Sequence, residues 1–372
     1  MTAQHRTIAA DSIADSEEPE QTRTSEDALM SFVFRAVDEV GATLNTALVV
    51  LGDKLGYYRA MTGGPVTAAQ LAESTATGLP YAREWLNAQA AGGFVDYAPA
   101  TGRYTLPPEH AVALTDESSP AFVGGLYQIA LGTVADSARV VEAVRNRGGL
   151  GWHERNADVH LGCERFFTPS YAAHLVGEWL PAAGVADAMT AGIRVVDIGC
   201  GHGSSTILLA GGHPASTFIG VDSHPESIAL ARRRAIAAGV AARVDFEIAS
   251  ASEDSTHRCE LVTTFDALHD MGDPDGAAAR VHEMLVAGGH WMIVEPMAGD
   301  RVEDNLTPVG RAYYGFSTLL CTPASLSQPV GTAIGTQAGP ARIAEIVTGA
   351  GFASCRTVAQ TPFHRVLVAE RG

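Results

Sequence analysis

The spacing of apolar side chains divides the chain into a helical first half and a second half in which strands and helices alternate. Apolar residues recur at the spacing of an amphipathic helix over residues 26–39, 42–61, 67–74, 80–90 and 119–146. Short apolar runs typical of buried strands follow at residues 193–198, 217–222, 243–248, 260–265, 290–295, 352–358 and 363–369. Helical patterns lie between the first five runs. The alternation predicts an α/β fold with a mostly parallel, seven-stranded Rossmann-like sheet covered by helices on both faces.

A hairpin pattern closes the first part of the chain. Residues 94–97 and 104–106 indicate two short strands around a glycine turn, directly after two predicted helices. Helix, turn, helix and hairpin in this order predict a winged helix. Residues 1–25 contain few large apolar side chains, which is typical of a disordered tail. We therefore expect a tail over 1–25, a winged-helix domain over 26–110, a helical linker and substrate cap over 111–190 and an α/β domain over 191–372.

A glycine-rich turn joins the first strand of the predicted α/β domain to the helix after it. Its sequence is Arg194-Val-Val-Asp-Ile-Gly-Cys-Gly-His-Gly203, so Gly199, Gly201 and Gly203 supply three positions without a Cβ. Such a turn adopts positive φ angles easily and lets a nucleotide-like ligand approach the backbone. Asp222 ends the next predicted strand, nineteen residues after Gly203, where a ribose-binding carboxylate is expected.

Two cofactor classes compete for this turn. In the dinucleotide fingerprint a third Gly or Ala lies five residues after the first glycine, and Ser204 holds that position here. Asp197 precedes the turn, where a carboxylate repels a pyrophosphate but suits a ligand that carries an ammonium and a sulfonium group. These features favour S-adenosylmethionine over a nicotinamide or flavin dinucleotide, and over a glycine turn with a purely structural role.

These motifs resemble those of class I S-adenosylmethionine-dependent methyltransferases. The segment Asp197-x-Gly-x-Gly-x-Gly203 with Asp222 is similar to the cofactor signature of that family. Residues 265–274, 294–296 and 335–339, together with the N-terminal region, extend the resemblance to the winged-helix small-molecule subgroup. Within it, the chain most resembles an actinobacterial set that includes indole C3-methyltransferases acting on tryptophan-derived cyclic dipeptides.

The resemblance covers about residues 27–370 and implies a function. It implies a methyltransferase that uses S-adenosylmethionine, needs no metal and acts on an aromatic small molecule of specialised metabolism. Indole carbon and phenol oxygen are the two leading acceptor atoms, so a phenolic O-methyltransferase is the alternative. The winged helix would serve as a homodimerisation domain through its first apolar helices. A winged-helix transcriptional regulator that senses a small ligand is the rival from another functional class.

Candidate cofactor residues follow the predicted strands, because ligands bind beyond the carboxyl ends of strands in open α/β sheets. The turn glycines, Asp197 and Asp222 are the first of them. The resemblance adds Ser250 and Ala251 near the adenine, and Phe265 and Asp266 at the end of the next strand complete the cofactor wall.

His269 is the first candidate for a general base, because the ordinary pKa of a histidine, ~6.5, allows proton transfer near neutrality. The pair His269-Asp270 resembles the pair in winged-helix O-methyltransferases in which the histidine deprotonates the acceptor hydroxyl. Met271 stands where an aromatic residue commonly follows that pair, which leaves the acceptor type open. A structural histidine that caps the next helix is the alternative.

Further candidates come from two other segments. The next candidates for catalysis are Tyr171, Glu164 and Glu295. The candidates for substrate contact are Phe166, Phe167, Tyr313 and Tyr314. Thr168 and Pro169 predict the start of the helix that carries Tyr171. Plain packing is the alternative for the aromatic residues.

The composition argues against several partners. The formal net charge is −17 and Lys54 is the only lysine, whereas phosphate binding requires clustered positive charge. The predicted recognition helix offers Arg83 countered by Glu84, which argues against a DNA reader. No apolar run approaches the roughly 18 residues of a membrane span, and no signal-peptide pattern is present. We therefore expect a cytoplasmic protein that binds neither nucleic acid nor membrane.

Metal binding is not expected either. Four residues are of types that commonly bind metal ions: His153, Glu154, His160 and Glu164. Their spacing fits no motif that would bring their side chains together around an ion. The five cysteines are widely spaced without a CxxC pair, which is typical of reduced thiols.

Overall fold

The computed structural model describes residues 25–253 and 256–372, so the predicted tail lies outside the described residues apart from Ser25. The chain divides after Leu44 into two compact units. The first elements are α1 Glu26–Lys54, α2 Tyr57–Met61, α3 Ala68–Ser74, α4 Leu79–Ala91, β1 Asp96–Ala98, β2 Arg103–Thr105 and α5 Pro108–Thr115.

The winged helix is formed by α3, α4 and the β1–β2 hairpin. Thr67 caps α3: its side chain accepts the N–H of Gln70 at 3.2 Å, and the Gln70 side chain accepts the N–H of Thr67 at 2.9 Å. β1 and β2 pair antiparallel. Tyr57, Tyr58 and Trp85 pack edge to face in the core beneath α4, with ring centroids 4.9 Å apart for both tyrosines. The predicted winged helix is thus confirmed.

The sequence pattern predicts two helices, over 26–39 and 42–61, and this prediction is wrong. α1 continues through Gly41 for 29 residues. An interior glycine costs a helix only about 1 kcal/mol, and the chain leaves the helix where a left-handed residue ends it, at Gly56 with φ 72°. No helix in the described part of the chain, α1 included, is both long and apolar enough to cross a membrane.

The segment between the winged helix and the sheet is helical. It contains α6 Gly124–Ala135, α7 Ser137–Arg145, α8 Ala157–His174, a π-helical turn at Leu175–Trp179, α9 Leu180–Ala183 and α10 Ala186–Ala191. The prediction of one helix over 119–146 is wrong, because the helix breaks at Asp136. The Asp136 carboxylate accepts the N–H of Asn156 at 2.9 Å, a tertiary contact that the local pattern does not reveal.

α8 begins twelve residues earlier than predicted. Asn156, not Thr168, caps it by accepting the N–H of Asp158 at 2.9 Å, and Pro169 lies inside the helix. α8 packs closely on α6, because a Cβ at Gly125 would lie 2.4 Å from the backbone N of Phe166. A Cβ at Gly162 would lie 2.6 Å from the backbone N of Ile129. Pro169 has no N–H to donate to the preceding turn of the helix. The close packing against α6 keeps α8 helical despite this missing hydrogen bond.

The C-terminal part forms the predicted sheet. Its elements are β3 Arg194–Ile198, α11 Ser204–Gly212, β4 Thr217–Asp222, α12 Pro225–Ala237, β5 Val244–Ile248, β6 Cys259–Phe265, α13 Pro274–Met284, β7 Leu285–Pro296, α14 Pro308–Phe316, α15 Thr322–Leu326, α16 Gly339–Gly349, β8 Ser354–Gln360 and β9 His364–Glu370. The strand order is β5-β4-β3-β6-β7-β9-β8, with β9 antiparallel to both of its neighbours. The predicted seven-stranded fold is confirmed.

Both faces of the sheet are buried. Val195 and Leu261 belong to the core on one face, and Val196 and Val262 belong to the core on the other. Side chains alternate between faces along a strand, so continuous apolar runs are required here. The burial fixes the carboxyl ends of β3, β4 and β6 side by side, and these ends carry the site.

Candidate active site

A cavity of about 290 Å³ lies at the carboxyl ends of β3, β4 and β6. Its lining includes the glycine turn, one side of α8 and part of the segment that follows β7. This is where ligands bind in open α/β sheets. Most of the predicted site residues meet in this cavity, although they are drawn from segments far apart in the sequence.

The glycine turn has the predicted conformation. Gly199, Gly201 and Gly203 have φ angles of 73°, 51° and 79°. A Cβ at Gly199 would lie 2.6 Å from the Cβ of Ala267, and one at Gly203 would lie 2.8 Å from the Phe246 ring. A Cβ at Gly201 would meet no atom within 4 Å. Gly199 and Gly203 are therefore needed for packing, whereas Gly201 keeps open a place that a ligand can occupy.

Asp222 lies at the end of β4 and lines the cavity. Its Oδ2 accepts the N–H of Gly201 at 2.9 Å, and its Oδ1 accepts the N–H of His224 at 2.8 Å. Burial raises the pKa of the Asp222 carboxyl, although both backbone donors oppose that shift. The two bonds orient the carboxylate toward the turn and leave lone pairs free for hydroxyl donors.

Asp197 occupies a different place from the one expected for direct cofactor contact. It is fully buried at the end of β3 and is not part of the cavity lining. Its carboxylate accepts the hydroxyls of Ser205, Thr206 and Thr263 at 2.7, 2.6 and 2.8 Å. Asp197 therefore holds the start of α11 and the neighbouring strand β6 around the turn, because its hydrogen-bonding capacity is used inside the protein.

The other predicted cofactor residues line the same cavity. Ser250 and Ala251 follow β5, and Phe265 ends β6. The hydroxyl oxygens of Ser250 and Ser252 lie 3.3 Å apart. Among the described residues after β5, Ser250, Ala251 and Ser252 line the cavity, so a base bound here would be recognised through backbone groups and small hydroxyls.

His269 lines the cavity with a carboxylate behind it. Its Nδ1 lies 2.6 Å from Oε2 of Glu295, whose other oxygen accepts the N–H of Leu268 at 2.9 Å. Both His269 and Glu295 are buried, and Glu295 is not part of the cavity lining. With the Nδ1 proton held by Glu295, Nε2 is the nitrogen left for proton transfer. Glu295 is therefore a positioning residue that orients the His269 ring.

The surroundings of His269 shift its pKa away from the ordinary value of ~6.5 that was considered from the sequence. Burial alone would lower its pKa, but the carboxylates of Glu295 and Asp270 raise the pKa of His269 well above its ordinary value. Oδ1 of Asp270 lies 3.4 Å from Nε2. The two carboxylates therefore favour the protonated imidazolium, and His269 can act as a base only in its deprotonated form.

Tyr171 is engaged with Asp266. Its hydroxyl donates to Oδ2 of Asp266 at 2.6 Å, and both residues line the cavity. Burial, with the charge of Asp266, raises the pKa of Tyr171 well above its ordinary value. The phenol therefore stays protonated and donates, which makes Tyr171 unsuitable as the catalytic base proposed as a second choice.

Glu164 is also unsuitable as a base. It forms an ion pair with Arg234 on α12, and its Oε2 lies 2.9 Å from Nδ1 of His202 in the glycine turn. Burial opposes ionisation, but the hydrogen bonds to His202 and Arg234 lower the pKa of Glu164. Glu164 thus links α8 to the glycine turn and to α12. His202 lies within the glycine motif, but nothing in the sequence pairs Arg234 with α8.

Three of the four residues predicted to contact the substrate line the cavity. Phe166, Phe167 and Tyr313 line the cavity, and Phe316 adds a further ring. The Tyr313 hydroxyl donates to the carbonyl of Phe363 at 2.9 Å, so this residue offers its ring face rather than its hydroxyl. Tyr314 does not line the cavity, so the structure does not bring it together with the other predicted substrate contacts. It neighbours Tyr313 on α14, and consecutive helical residues face different directions.

One group of potential metal ligands converges within the described residues, and it is not the set considered from the sequence. His269, Asp270 and Cys321 place one nitrogen, one oxygen and one sulfur within 4.8 Å of one another. These are atom types that zinc accepts. Cys321 follows α14 in sequence and was missed, because its position beside His269 depends on the tertiary fold. Burial raises the pKa of the Cys321 thiol to about 12.

Comparison with known families matches two parts of the chain. Residues 189–329 match a family described as a methyltransferase domain, and residues 43–116 match a family described as an Rv2258c-like winged HTH domain. No curated protein sequence matches the chain.

Solved structures share this fold over nearly the whole chain. A candidate O-methyltransferase from Nostoc punctiforme is 21% identical with a TM-score of 0.70, covering 93% of this chain and 99% of its own. The mitomycin 7-O-methyltransferase MmcR is 17% identical with a TM-score of 0.65, covering 93% and 100%. Human N-acetylserotonin methyltransferase, solved with S-adenosylmethionine, is 14% identical with a TM-score of 0.65, covering 95% and 100%. The chain is therefore similar to a methyltransferase domain over residues 189–329 and to an Rv2258c-like winged helix over residues 43–116, and it shares its fold with these solved structures.

Proposed function

We propose that this protein is an S-adenosylmethionine-dependent methyltransferase that acts on an aromatic small molecule. The observation that carries the proposal is one cavity with two chemically different ends. The glycine turn and Asp222 line it together with His269 and a group of aromatic rings, and we assign the first set to a cofactor end and the second set to an acceptor end. Such an arrangement suits a nucleoside cofactor beside a flat acceptor.

The residues of the first end fit the cofactor. Asp222 would accept the ribose hydroxyls, Gly201 would leave room beside the turn, and Ser250 with Ala251 would lie near the adenine. When bound, S-adenosylmethionine supplies a methyl group activated by a sulfonium. The solved proteins of similar fold include several in complex with this cofactor or its product, which supports the assignment.

The second end would position the acceptor and remove one proton. Phe166, Phe167 and Phe316 line the cavity and would hold an aromatic ring and exclude water. Nε2 of His269 would accept the proton of the attacking group, while Glu295 keeps Nδ1 protonated and stabilises the imidazolium that forms. Holding the acceptor in line supplies a large part of the rate enhancement, because it replaces a bimolecular encounter.

A phenolic hydroxyl is the acceptor that the neighbours of similar fold support, since several are described as O-methyltransferases. With a phenol, His269 would take the hydroxyl proton as oxygen attacks. Indole C3 of a tryptophan-derived cyclic dipeptide is the second acceptor class, and it rests on the sequence resemblance. With an indole, the same base would take the ring N–H proton as C3 attacks.

Isotope transfer tests the function. The purified protein would be incubated with S-adenosylmethionine labelled in the methyl group and with a panel of phenols, indoles and tryptophan-containing cyclic dipeptides. We expect a labelled product by mass spectrometry, with S-adenosylhomocysteine formed in equal amount. Tight NADH binding without S-adenosylmethionine binding would contradict the proposal.

We further propose that α1 joins two copies of the chain. Leu29, Val33, Val37, Val40 and Leu44 recur every three or four residues along α1, and all are exposed. Such an apolar helical stripe is typical of a subunit interface. Light scattering of the full-length protein should give a dimer, and Val37→Glu should shift it to a monomer. Ile236→Glu, a change of another exposed apolar residue, is the matched control. A monomeric unaltered protein would contradict the proposal.

DNA binding is not expected from the winged helix. On α4 Arg83 lies 3.2 Å from Glu84, and both side chains are exposed, so the recognition helix carries no net positive charge. Phosphate attraction needs such charge, which the chain as a whole lacks. Gel-shift assays at physiological salt should show no specific complex. Specific operator binding with a steep salt dependence would instead favour a ligand-sensing regulator.

A further inference from the structure

The cofactor proposed above carries a positive charge on its amino-acid end, and the carboxylate expected to meet it is not accessible. In the glycine motif that residue is Asp197. Its carboxylate already accepts three hydroxyl hydrogen bonds inside the protein, and it is not part of the cavity lining. A buried ammonium group without a carboxylate or carbonyl partner is strongly disfavoured. Another group must take this role.

Asp266 has the properties that Asp197 lacks. It lines the cavity, and its side chain is only 3% exposed. Oδ2 accepts the Tyr171 hydroxyl at 2.6 Å and lies 3.3 Å from Nε2 of His364, whereas Oδ1 is buried without a hydrogen-bond partner. Native proteins rarely leave a buried carboxylate oxygen unpaired, so this atom points to a donor that arrives with a ligand.

The backbone of Asp266 supports the same reading. Its φ angle is 48°, a left-handed conformation that costs energy for a residue with a Cβ. The backbone N–H of Asp266 is held by the carbonyl of Val294 at 2.8 Å, so the neighbouring strand helps to enforce this conformation. Strain that the surrounding structure enforces at a cavity is typical of a functional position.

We propose that Asp266, oriented by Tyr171, replaces Asp197 as the carboxylate that binds the α-ammonium group of the cofactor. This inference rests on the proposed use of S-adenosylmethionine. The residue next to Asp266, Ala267, is so close to Gly199 that a Cβ on that glycine would lie 2.6 Å from the Ala267 Cβ. Asp266 therefore belongs to the glycine-turn end of the cavity, while His269 follows three residues later at the acceptor end.

Two ligands separate this role from a general effect on the site. S-adenosylhomocysteine carries the ammonium group, whereas 5′-methylthioadenosine has the same nucleoside and sulfur but no amino-acid end. By calorimetric titration, Asp266→Asn should weaken S-adenosylhomocysteine binding by about 10- to 100-fold, the usual effect of losing one charge-assisted hydrogen bond. Binding of 5′-methylthioadenosine should change by no more than about twofold.

Three further variants complete the design. Asp222→Asn should weaken both ligands alike, because both carry the ribose. Asp197→Asn should also fail to distinguish the two ligands. Asp266→Gly adopts the left-handed backbone without strain, and it should also lose affinity for S-adenosylhomocysteine selectively. This variant separates the ligand role from folding if Asp266→Asn is poorly folded.

Equal losses for both ligands in Asp266→Asn and Asp266→Gly, or no loss for either, would overturn the inference. A selective loss in Asp197→Asn instead would return the role to the residue in the glycine motif. If the unaltered protein binds neither ligand, the proposed function itself fails. If it binds both and only the Asp266 variants disagree, the proposed function stands and this inference alone is wrong.

Discussion

His269→Ala is expected to lower the turnover number by about 10²- to 10⁴-fold, the usual effect of removing a general base, with little change in cofactor affinity. The histidine lines the acceptor end of the cavity, and its Nδ1 lies 2.6 Å from Glu295. Proton removal is needed only as the acceptor attacks, so the loss should appear in the turnover number. Steady-state kinetics with calorimetric titration of S-adenosylhomocysteine would measure both quantities.

The pH profile gives a second signature of this base. Because Glu295 and Asp270 raise the pKa of His269, its basic form becomes available at a higher pH than that of an ordinary histidine. The rate kcat/KM should therefore rise with pH through that raised pKa. Glu295→Gln removes one of the charges that raise the pKa, so the rise should move to lower pH while the maximal rate falls.

Several outcomes would contradict this assignment. A His269→Ala protein with full turnover across pH 6 to 9 would leave the histidine with a structural role. If the acceptor is a phenol, a more acidic phenol should partly rescue the variant, since it needs less help to ionise. Metal analysis of the purified protein is the necessary control, because His269, Asp270 and Cys321 lie close enough together to share an ion. Activity that is lost with a chelator and restored by zinc would contradict a free-histidine base.

Asp222→Ala is expected to weaken S-adenosylmethionine binding by about 10- to 100-fold without unfolding the protein. The carboxylate is already oriented by the N–H groups of Gly201 and His224, at 2.9 and 2.8 Å. In the proposed complex it would therefore accept the ribose hydroxyls with little reorganisation. Losing charge-assisted hydrogen bonds of ~1.5–3 kcal/mol gives the expected range. Calorimetric titration would measure it, and thermal unfolding would verify the fold.

The same carboxylate predicts how affinity depends on pH. Burial raises the pKa of Asp222 in the ligand-free protein, and only the ionised form accepts both hydroxyls. Affinity should therefore be full above that raised pKa and fall as the pH drops through it. The Asp222→Ala protein should lose this part of the pH dependence. An unchanged dissociation constant in this variant would remove Asp222 from the site.

Much of the fold follows from patterns that are local in the sequence. The apolar runs predict each strand of the sheet to within a few residues, because a strand buried on both faces requires a continuous run. The largest errors came at helix ends. The break at Asp136 and the continuation through Pro169 depend on contacts with Asn156 and on close packing against α6, which lie outside any local window.

The cofactor end of the site was also predictable from sequence. The glycine turn and Asp222 belong to one strand-turn-helix-strand unit, and parallel pairing of β3 with β4 places the strand ends side by side. Short chain connections therefore determine this geometry. The position of His269 beyond β6 follows from the same rule, since β6 is the other neighbour of β3.

Only the tertiary structure decided which side chains are available for chemistry. It paired His269 with Glu295, Tyr171 with Asp266, and Glu164 with Arg234, and it enclosed Asp197 among three hydroxyls. These partners come from different strands and helices, so no spacing rule predicts them. The role of a carboxylate depends on whether its oxygens are already occupied, and that is determined by the packing of the whole domain. The sequence by itself thus determined the fold and the position of the glycine turn and Asp222, where we propose that the cofactor binds, whereas the tertiary structure distinguished the side chains that line the cavity from those that hold the site together.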